Sequence, residues 1–364
     1  MKKYLVLIIT VGFLACQQQE KGFEIEVDLE GADGKILLEK RGTSRWIPVD
    51  TAEIIDGIAV LKGTVSVPGD YYLSVLGRRA KTVVFVENAV MTVSGKVDSL
   101  GHVEVTGSVP HDEYDQVRNR LLEVSEEYMG LYQQARTAEA SGDTAKAQQL
   151  MDQVNTLYES TKTIQKDFIK NNPGSFVAPF FLTQIQSGME LNELDELVGG
   201  LAPKLDSLAS VRALKTRIAK MKTVAVGQTA PDFTLNDPEG NPVAFSDVYS
   251  QNEYTLLDFW AAWCGPCRSE NPNVVAVYND FKGQGFGVFG VSLDREKDAW
   301  LKAIEEDGLV WPHVSDLNYW DNAAARLYAV NSIPSSLIVD KNGKIVAKNK
   351  RGEALRETVR ELLN

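Results

Sequence analysis

The sequence predicts a multidomain chain: an N-terminal all-β domain, a helical middle region and a C-terminal α/β domain. Three observations carry this. Apolar residues recur with a period of two from Phe23 to about Ser108, in short runs broken by Gly, Asp, Asn and Pro. Beyond Pro110 the apolar spacing changes to alternating threes and fours, the period of a helix. From Val224 onward, strand-like apolar runs alternate with helix-like ones, as they do where strands and helices pack in layers. A length of 364 residues suffices for several independent cores. The net charge of −12 excludes a nucleic-acid binder, which needs a basic surface.

The first segment differs from all three. Lys2 and Lys3 precede the apolar stretch Tyr4–Ala15, which is shorter than the roughly 20 residues a bilayer span requires but has the length of a signal-peptide core. With small Ala15 directly before Cys16, the segment resembles a bacterial lipoprotein signal, although Phe13 stands where a Leu or Val is usual. The expectation is a signal peptide over 1–15, lipidation of Cys16, and a polar tether over 16–22. The protein would then sit in the cell envelope, lipid-anchored and facing the periplasm. The chain has three cysteines, so lipid on Cys16 leaves one pair, Cys264 and Cys267, and no structural disulfide framework.

Over 23–108, Phe23, Ile25, Val27 and Leu29 alternate with charged residues. Further runs at Ile36–Glu39, Ile58–Lys62, Tyr71–Leu76, Thr82–Val86 and Met91–Ser94 complete a sandwich or open barrel. This β-rich domain has no cysteine, a single histidine (His102) and nothing that reads as catalytic. Over 110–222, Tyr114, Val117, Leu121, Val124, Tyr128 and Leu131 form one stripe. Ala147, Leu150, Val154, Leu157, Thr161, Ile164 and Phe168 form a second, after the breaker Ser141-Gly142-Asp143. The pair predicts an antiparallel helical hairpin, read as a structural spacer rather than a dimerising coiled coil, ended by Asn172-Pro173-Gly174 and followed by shorter helices. Over 224–364, Tyr254–Trp260 predicts a strand, Cys267–Phe281 a helix, Phe286–Leu293 a strand, and Arg295–Glu306 a helix that Asp294 could cap. Ser335–Asp340 and Lys344–Lys348 flank Asn342-Gly343, a hairpin signal, before a final helix over Glu353–Leu363.

The chemistry concentrates in LLDFWAAWCGPCRSENP at 256–272. A cysteine where a strand ends and a helix begins gains thiolate stability from the free N–H groups and dipole of the helix N-terminus, and Cys264 holds that place. The i, i+3 spacing puts Cys267 one turn later, within reach of a disulfide. Gly265 and Pro266 suit a tight first turn, because Pro is tolerated where N–H groups lack helical partners.

These residues resemble the thioredoxin superfamily, and within it the membrane-tethered TlpA/ResA-type thiol-disulfide oxidoreductases. The likeness rests on VGQTAPDFTL at 226–235, DFWAAWCGPC at 258–267, Glu270 with Pro272, and SIPSS at 332–336, and so covers about the last 140 residues. It implies a thioredoxin fold in the C-terminal domain and a reaction in which exposed Cys264 attacks a substrate disulfide and less exposed Cys267 resolves it. It matches Pro334 to the family's cis-proline, with Ile333 bonding an extended substrate, and makes Trp263 an apolar docking surface. Asp258 matches the buried aspartate of thioredoxin, where that residue takes a proton from the resolving cysteine. TlpA/ResA-type members often carry a neutral residue there and a Glu nearby, so Glu270 is the second choice.

The partners implied are disulfide-bonded protein substrates, a membrane electron donor of the CcdA or DsbD type, and the membrane itself through the lipid. No organic cofactor or metal is implied. A zinc site needs about four ligands, and His102, His111 and His313 fall in three different contexts. A peroxiredoxin would need Thr three residues before its reactive Cys, where Ala261 stands. The expected function is reduction of exported disulfides. The alternatives are a disulfide oxidase or isomerase, and a binding lipoprotein that keeps the thioredoxin module as a non-catalytic scaffold.

Overall fold

The structure, a computed structural model, describes residues 22–42 and 45–364. The expected signal peptide, Cys16 and all but the last residue of the tether lie outside the described residues. The chain divides into two compact units, one running to Ile164 with Ser175–Val177 added, the other made of Gln165–Gly174 and Ala178–Asn364.

The first unit begins with eight strands: β1 (Phe23–Glu30), β2 (Lys35–Arg41), β3 (Trp46–Glu53), β4 (Ile58–Gly63), β5 (Gly69–Val75), β6 (Lys81–Val86), β7 (Val90–Lys96) and β8 (Glu104–Thr106). They form two four-stranded sheets, in the orders β4-β1-β7-β8 and β3-β2-β5-β6. Phe23, Ile25, Val27 and Leu29 of β1 all point into one core, which they share with Ile36, Leu38, Leu73 and Val84 of the other sheet. Each such buried side chain contributes about 1.5–3 kcal/mol relative to exposure. The result is a sandwich whose period of two is visible as strict in–out alternation along β1.

Ser108 then switches the chain to helix. Its Oγ accepts the His111 N–H at 3.2 Å and donates to the Phe85 carbonyl at 2.8 Å, capping α1 (Val109–Ala140) while tying its start to β6. A turn at 141–143 leads into α2 (Thr144–Asn171), and Ala135, Ala138 and Leu150 pack where the two helices meet. Much of the expected stripe is only half-buried, including Leu121, Val124, Tyr128 and Leu131.

The second unit continues with α3 (Ala178–Ile185), α4 (Leu191–Gly199) and α5 (Ala209–Thr223). The α/β part follows as β9 (Thr234–Asn236), β10 (Pro242–Ala244), α6 (Phe245–Tyr249), β11 (Tyr254–Trp260), α7 (Gly265–Phe281), β12 (Phe286–Ser292), α8 (Lys297–Asp307), β13 (His313–Val314), α9 (Ala323–Leu327), β14 (Ser335–Asp340), β15 (Ile345–Lys348) and α10 (Gly352–Leu363). Five strands make one mixed sheet in the order β13-β12-β11-β14-β15. The strands β11, β12 and β13 run parallel, with β14 antiparallel to β11 and β15 antiparallel to β14. This is the thioredoxin arrangement. β11 and β12 are apolar nearly throughout because they lie at the centre of the sheet.

The sheet also sets an unusual row across its width. Ser336, Asp258, Gly290 and His313 are register partners on four neighbouring strands. A Cβ at Gly290 would collide with His313 Nδ1, so only glycine leaves room for the imidazole. Burial pushes the His313 imidazole down to about 3, with the Leu309 backbone opposing weakly, so it is neutral and uncharged in the core. Although it stands at the end of a strand, its ring packs inside, against Trp260 and Trp311.

Candidate active site

β11 delivers the chain to the site. It ends at Trp260, and Cys264 becomes the N-cap of α7. The helix starts at Gly265, two residues before the expected start, because Cys264 itself closes the first turn. Its Sγ accepts the Cys267 N–H at 3.1 Å, its carbonyl accepts the Arg268 N–H at 3.0 Å, and Pro266 lies in the first turn, where an N–H is not needed. Cys264 and Cys267 are joined as a disulfide, with Cα atoms 5.2 Å apart. Reduced, the Cys264 sulfur would keep the N–H bond and the dipole of a 17-residue helix, both of which favour thiolate.

One expectation about this pair is corrected. Cys264 is not an exposed thiol: it is 4% accessible against 1% for Cys267, because the disulfide sits in the wall of the main core. The accessible neighbour is Trp263, at 46%. Trp263 does not stand alone. Its ring lies 5.0 Å from Tyr319 and 5.9 Å from Trp320, and the Arg295 guanidinium stacks over Tyr319 at 4.3 Å. The aromatic pair Tyr319-Trp320 was the available signal in the sequence, yet only the fold brings it to the redox loop.

A second correction concerns Asp294. It does not cap α8, whose N-cap is Glu296 without a side-chain bond. Asp294 turns back instead and accepts the Ala262 N–H at 3.0 Å, while Ser292 Oγ donates to it at 2.7 Å. A buried carboxylate is thereby satisfied by the loop that leads to Cys264, which it holds in place. The other flank is held by Arg268, which bonds Asp307 at 2.5 and 2.8 Å and Glu306 at 2.9 Å.

Asp258 lies buried on β11, and its carboxyl is pushed up to about 7, chiefly by loss of water, with the Arg351 cation opposing and the Glu270 charge adding to the rise. Glu270 is on α7, one turn beyond Cys267, on the helix that carries both sulfurs, and its charge bears on Asp258. Glu270 itself is anchored: its Oε1 accepts the Gly352 N–H and the Asn273 amide, each at 2.8 Å. The Ile333-Pro334 peptide is cis. Ser335 and Ser336 follow directly and pair with Phe259 and Asp258, which sets Pro334 beside the end of β11, where the redox loop departs. Arg351, which carries no motif signal in the sequence, donates from Nη2 to the Pro334 carbonyl.

The structure therefore gathers Asp258, Trp263, Cys264, Gly265, Pro266, Cys267, Glu270, Ile333 and Pro334 at the β11–α7 junction and the adjoining start of β14. Among the described residues no cluster of three His, Cys, Asp or Glu side chains is placed to hold a metal, and no helix is long and apolar enough to cross a membrane.

A family model described as the AhpC/TSA family matches residues 226–348, and one described as a domain of unknown function (DUF4369) matches residues 23–114. The thiol-disulfide oxidoreductase ResA of Geobacillus thermodenitrificans is 35% identical over 122 residues, which are 34% of this chain and 67% of that protein. The ResA of Bacillus subtilis is 30% identical over 128 residues, 35% of this chain and 69% of that protein. Among solved structures, the thioredoxin domain of a thiol-disulfide oxidoreductase from Bacteroides vulgatus is 41% identical, covers 38% of this chain and 99% of its own, and has a TM-score of 0.36.

Proposed function

Since the chain belongs to the ResA-type thiol-disulfide oxidoreductases, built on an AhpC/TSA thioredoxin-like domain, we propose that it works as a reductant of disulfides in extracytoplasmic proteins. The observation that carries the assignment of roles is the position of Cys264 Sγ at the N-cap of α7, accepting the Cys267 N–H. In the reduced protein, the Cys264 thiolate attacks one sulfur of the substrate disulfide, and the other sulfur leaves as a thiolate and takes a proton. Asp258, ionised, takes the proton of the Cys267 thiol, with Glu270 as the nearby second carboxylate. The Cys267 thiolate then attacks Cys264 Sγ, forms the internal disulfide, and releases the second substrate sulfur. Two electrons pass from the protein dithiol to the substrate disulfide.

Trp263 with Tyr319 supplies the accessible apolar surface over which the substrate cysteine approaches, and the backbone of Ile333 offers an edge for an extended segment. A dithiol donor in the membrane, of the CcdA or DsbD kind, restores the reduced state. Cys16, behind a signal of 15 residues, would carry the lipid that keeps the protein on the periplasmic side of the envelope.

Mixing the pre-reduced full chain with insulin tests this. The expected result is loss of one insulin disulfide per Cys264–Cys267 disulfide formed, with Cys264→Ser inert. Failure of the wild type to transfer electrons would leave the site without its proposed reaction. Fractionation of cells is expected to move a Cys16→Ser chain out of the membrane fraction.

A further inference from the structure

The loop between β15 and α10 is fastened on both sides of the redox centre. On one side, Asn349 exchanges backbone and side-chain bonds with Ser336: its N–H donates to the Ser336 carbonyl at 2.8 Å and its Oδ1 accepts the Ser336 N–H at 3.2 Å. On the other side, the Gly352 N–H donates to Glu270 at 2.8 Å and its carbonyl accepts from Asn273 at 3.2 Å, both on α7. Arg351 stands between these anchors. Its Nη2 donates to the Pro334 carbonyl, and its charge is the leading influence that favours the ionised form of Asp258. Arg351 is solvent-exposed, and among the described residues no carboxylate forms an ion pair with it.

We propose that Arg351 is a positioning residue of the redox centre, fixing the Pro334 carbonyl and the substrate edge beside it while its charge acts on Asp258 from the same loop, so that substrate docking and proton removal from Cys267 depend on one side chain. The proposal rests on the reading of Asp258 as proton acceptor and of Ile333–Pro334 as substrate edge. A guanidinium suits both tasks, because its planar fork holds a carbonyl in a fixed direction while its charge is permanent; a lysine would supply the charge without the fork.

The groups that bear on Asp258 are few. Glu270 acts from α7, which also carries the cysteine pair, and Arg351 acts from the loop before α10. Across the sheet, Ser336 on β14 carries no charge and His313 on β13 is neutral. Removing the Arg351 charge therefore leaves burial and Glu270 to act together, both disfavouring the Asp258 carboxylate. The pH at which Asp258 ionises must rise, and resolution at neutral pH must slow.

The test uses the full chain and reads two quantities: the pH dependence of internal-disulfide formation after attack on a model disulfide, and KM for a disulfide-bonded protein. Arg351→Gln is expected to move the rising limb of the pH profile upward by about one unit, the low end for loss of a nearby opposite charge, and to raise KM roughly tenfold. Arg351→Lys is expected to keep the wild-type pH profile but raise KM. In an Asp258→Asn background, Arg351→Gln should cause no further change in the profile. A wild-type profile in Arg351→Gln, while Asp258→Asn alters it, would overturn the role given to Arg351 and leave Asp258 in place. An Asp258→Asn chain with an unaltered profile would remove the proton acceptor itself, and the proposal with it.

Discussion

Replacing Cys267 with serine is expected to trap the protein on its substrate. The reduced variant should attack a protein disulfide through Cys264 at close to the normal rate, then stall as a mixed disulfide. Turnover should fall to background. The reason lies at the start of α7. Cys264 keeps its helix N-terminus and the residue-267 N–H whatever side chain stands at 267, so its nucleophilicity survives, but no second sulfur remains to displace the substrate. Cys264→Ser should form no adduct, because Cys267 is buried inside the first turn of α7 and lacks the N-cap position that favours thiolate. Non-reducing mass spectrometry of the products distinguishes the two. An adduct on Cys267 in the Cys264→Ser chain would reverse the assigned roles.

Replacing Asp258 with asparagine is expected to stabilise the oxidised protein in alkali and to impair it as a catalyst. The sign follows from the raised ionisation. Between pH 3.8 and about 7 the folded chain holds a proton on Asp258 that the unfolded chain has lost, so this group's contribution to stability declines as pH rises through that window. Above it the folded protein carries a buried carboxylate at a cost of about 4 kcal/mol, roughly three pH units at about 1.4 kcal/mol each. Asparagine has nothing to ionise and avoids that cost. Chemical denaturation should therefore show the advantage of Asp258→Asn growing by about 3 kcal/mol from pH 5 to pH 9. Over the same range, resolution by Cys267 should lose its dependence on a group titrating near 7. An advantage that does not change with pH would show that Asp258 does not ionise in this range.

These two side chains were legible in the sequence because local pattern placed them. β11 and β14 lie inside the mixed sheet and are apolar over most of their length, so their bounds could be read as Tyr254–Trp260 and Ser335–Asp340, and the lone carboxylate in LLDFW stood out. The strand β3 was not legible. WIPVDTAE carries Pro48 and faces solvent along most of its length, so it has no alternation to detect. β8, at three residues, is too short to show a period.

The missed site residues share a different cause. Asp294 follows a strand and precedes a helix, the usual setting of a cap, but the nearby loop before Cys264 offers it the Ala262 N–H and it turns there. Arg351 reaches Pro334 only because β14 and β15 form a hairpin that returns the chain beside the cis peptide. The partly buried stripe of α1 shows the converse: helical spacing was read correctly from Tyr114 to Leu131, but spacing alone does not say how deeply a face is covered.

The proposed function requires the Cys264–Cys267 couple to be a reductant, and its reduction potential tests that most directly. The full chain is equilibrated in thiol buffers of known poise and the fraction oxidised is read by alkylation. A potential near about −270 mV, that of a thioredoxin-like reductant, is the predicted result. A value above roughly −180 mV would make the couple an oxidant or isomerase and contradict the direction assigned here.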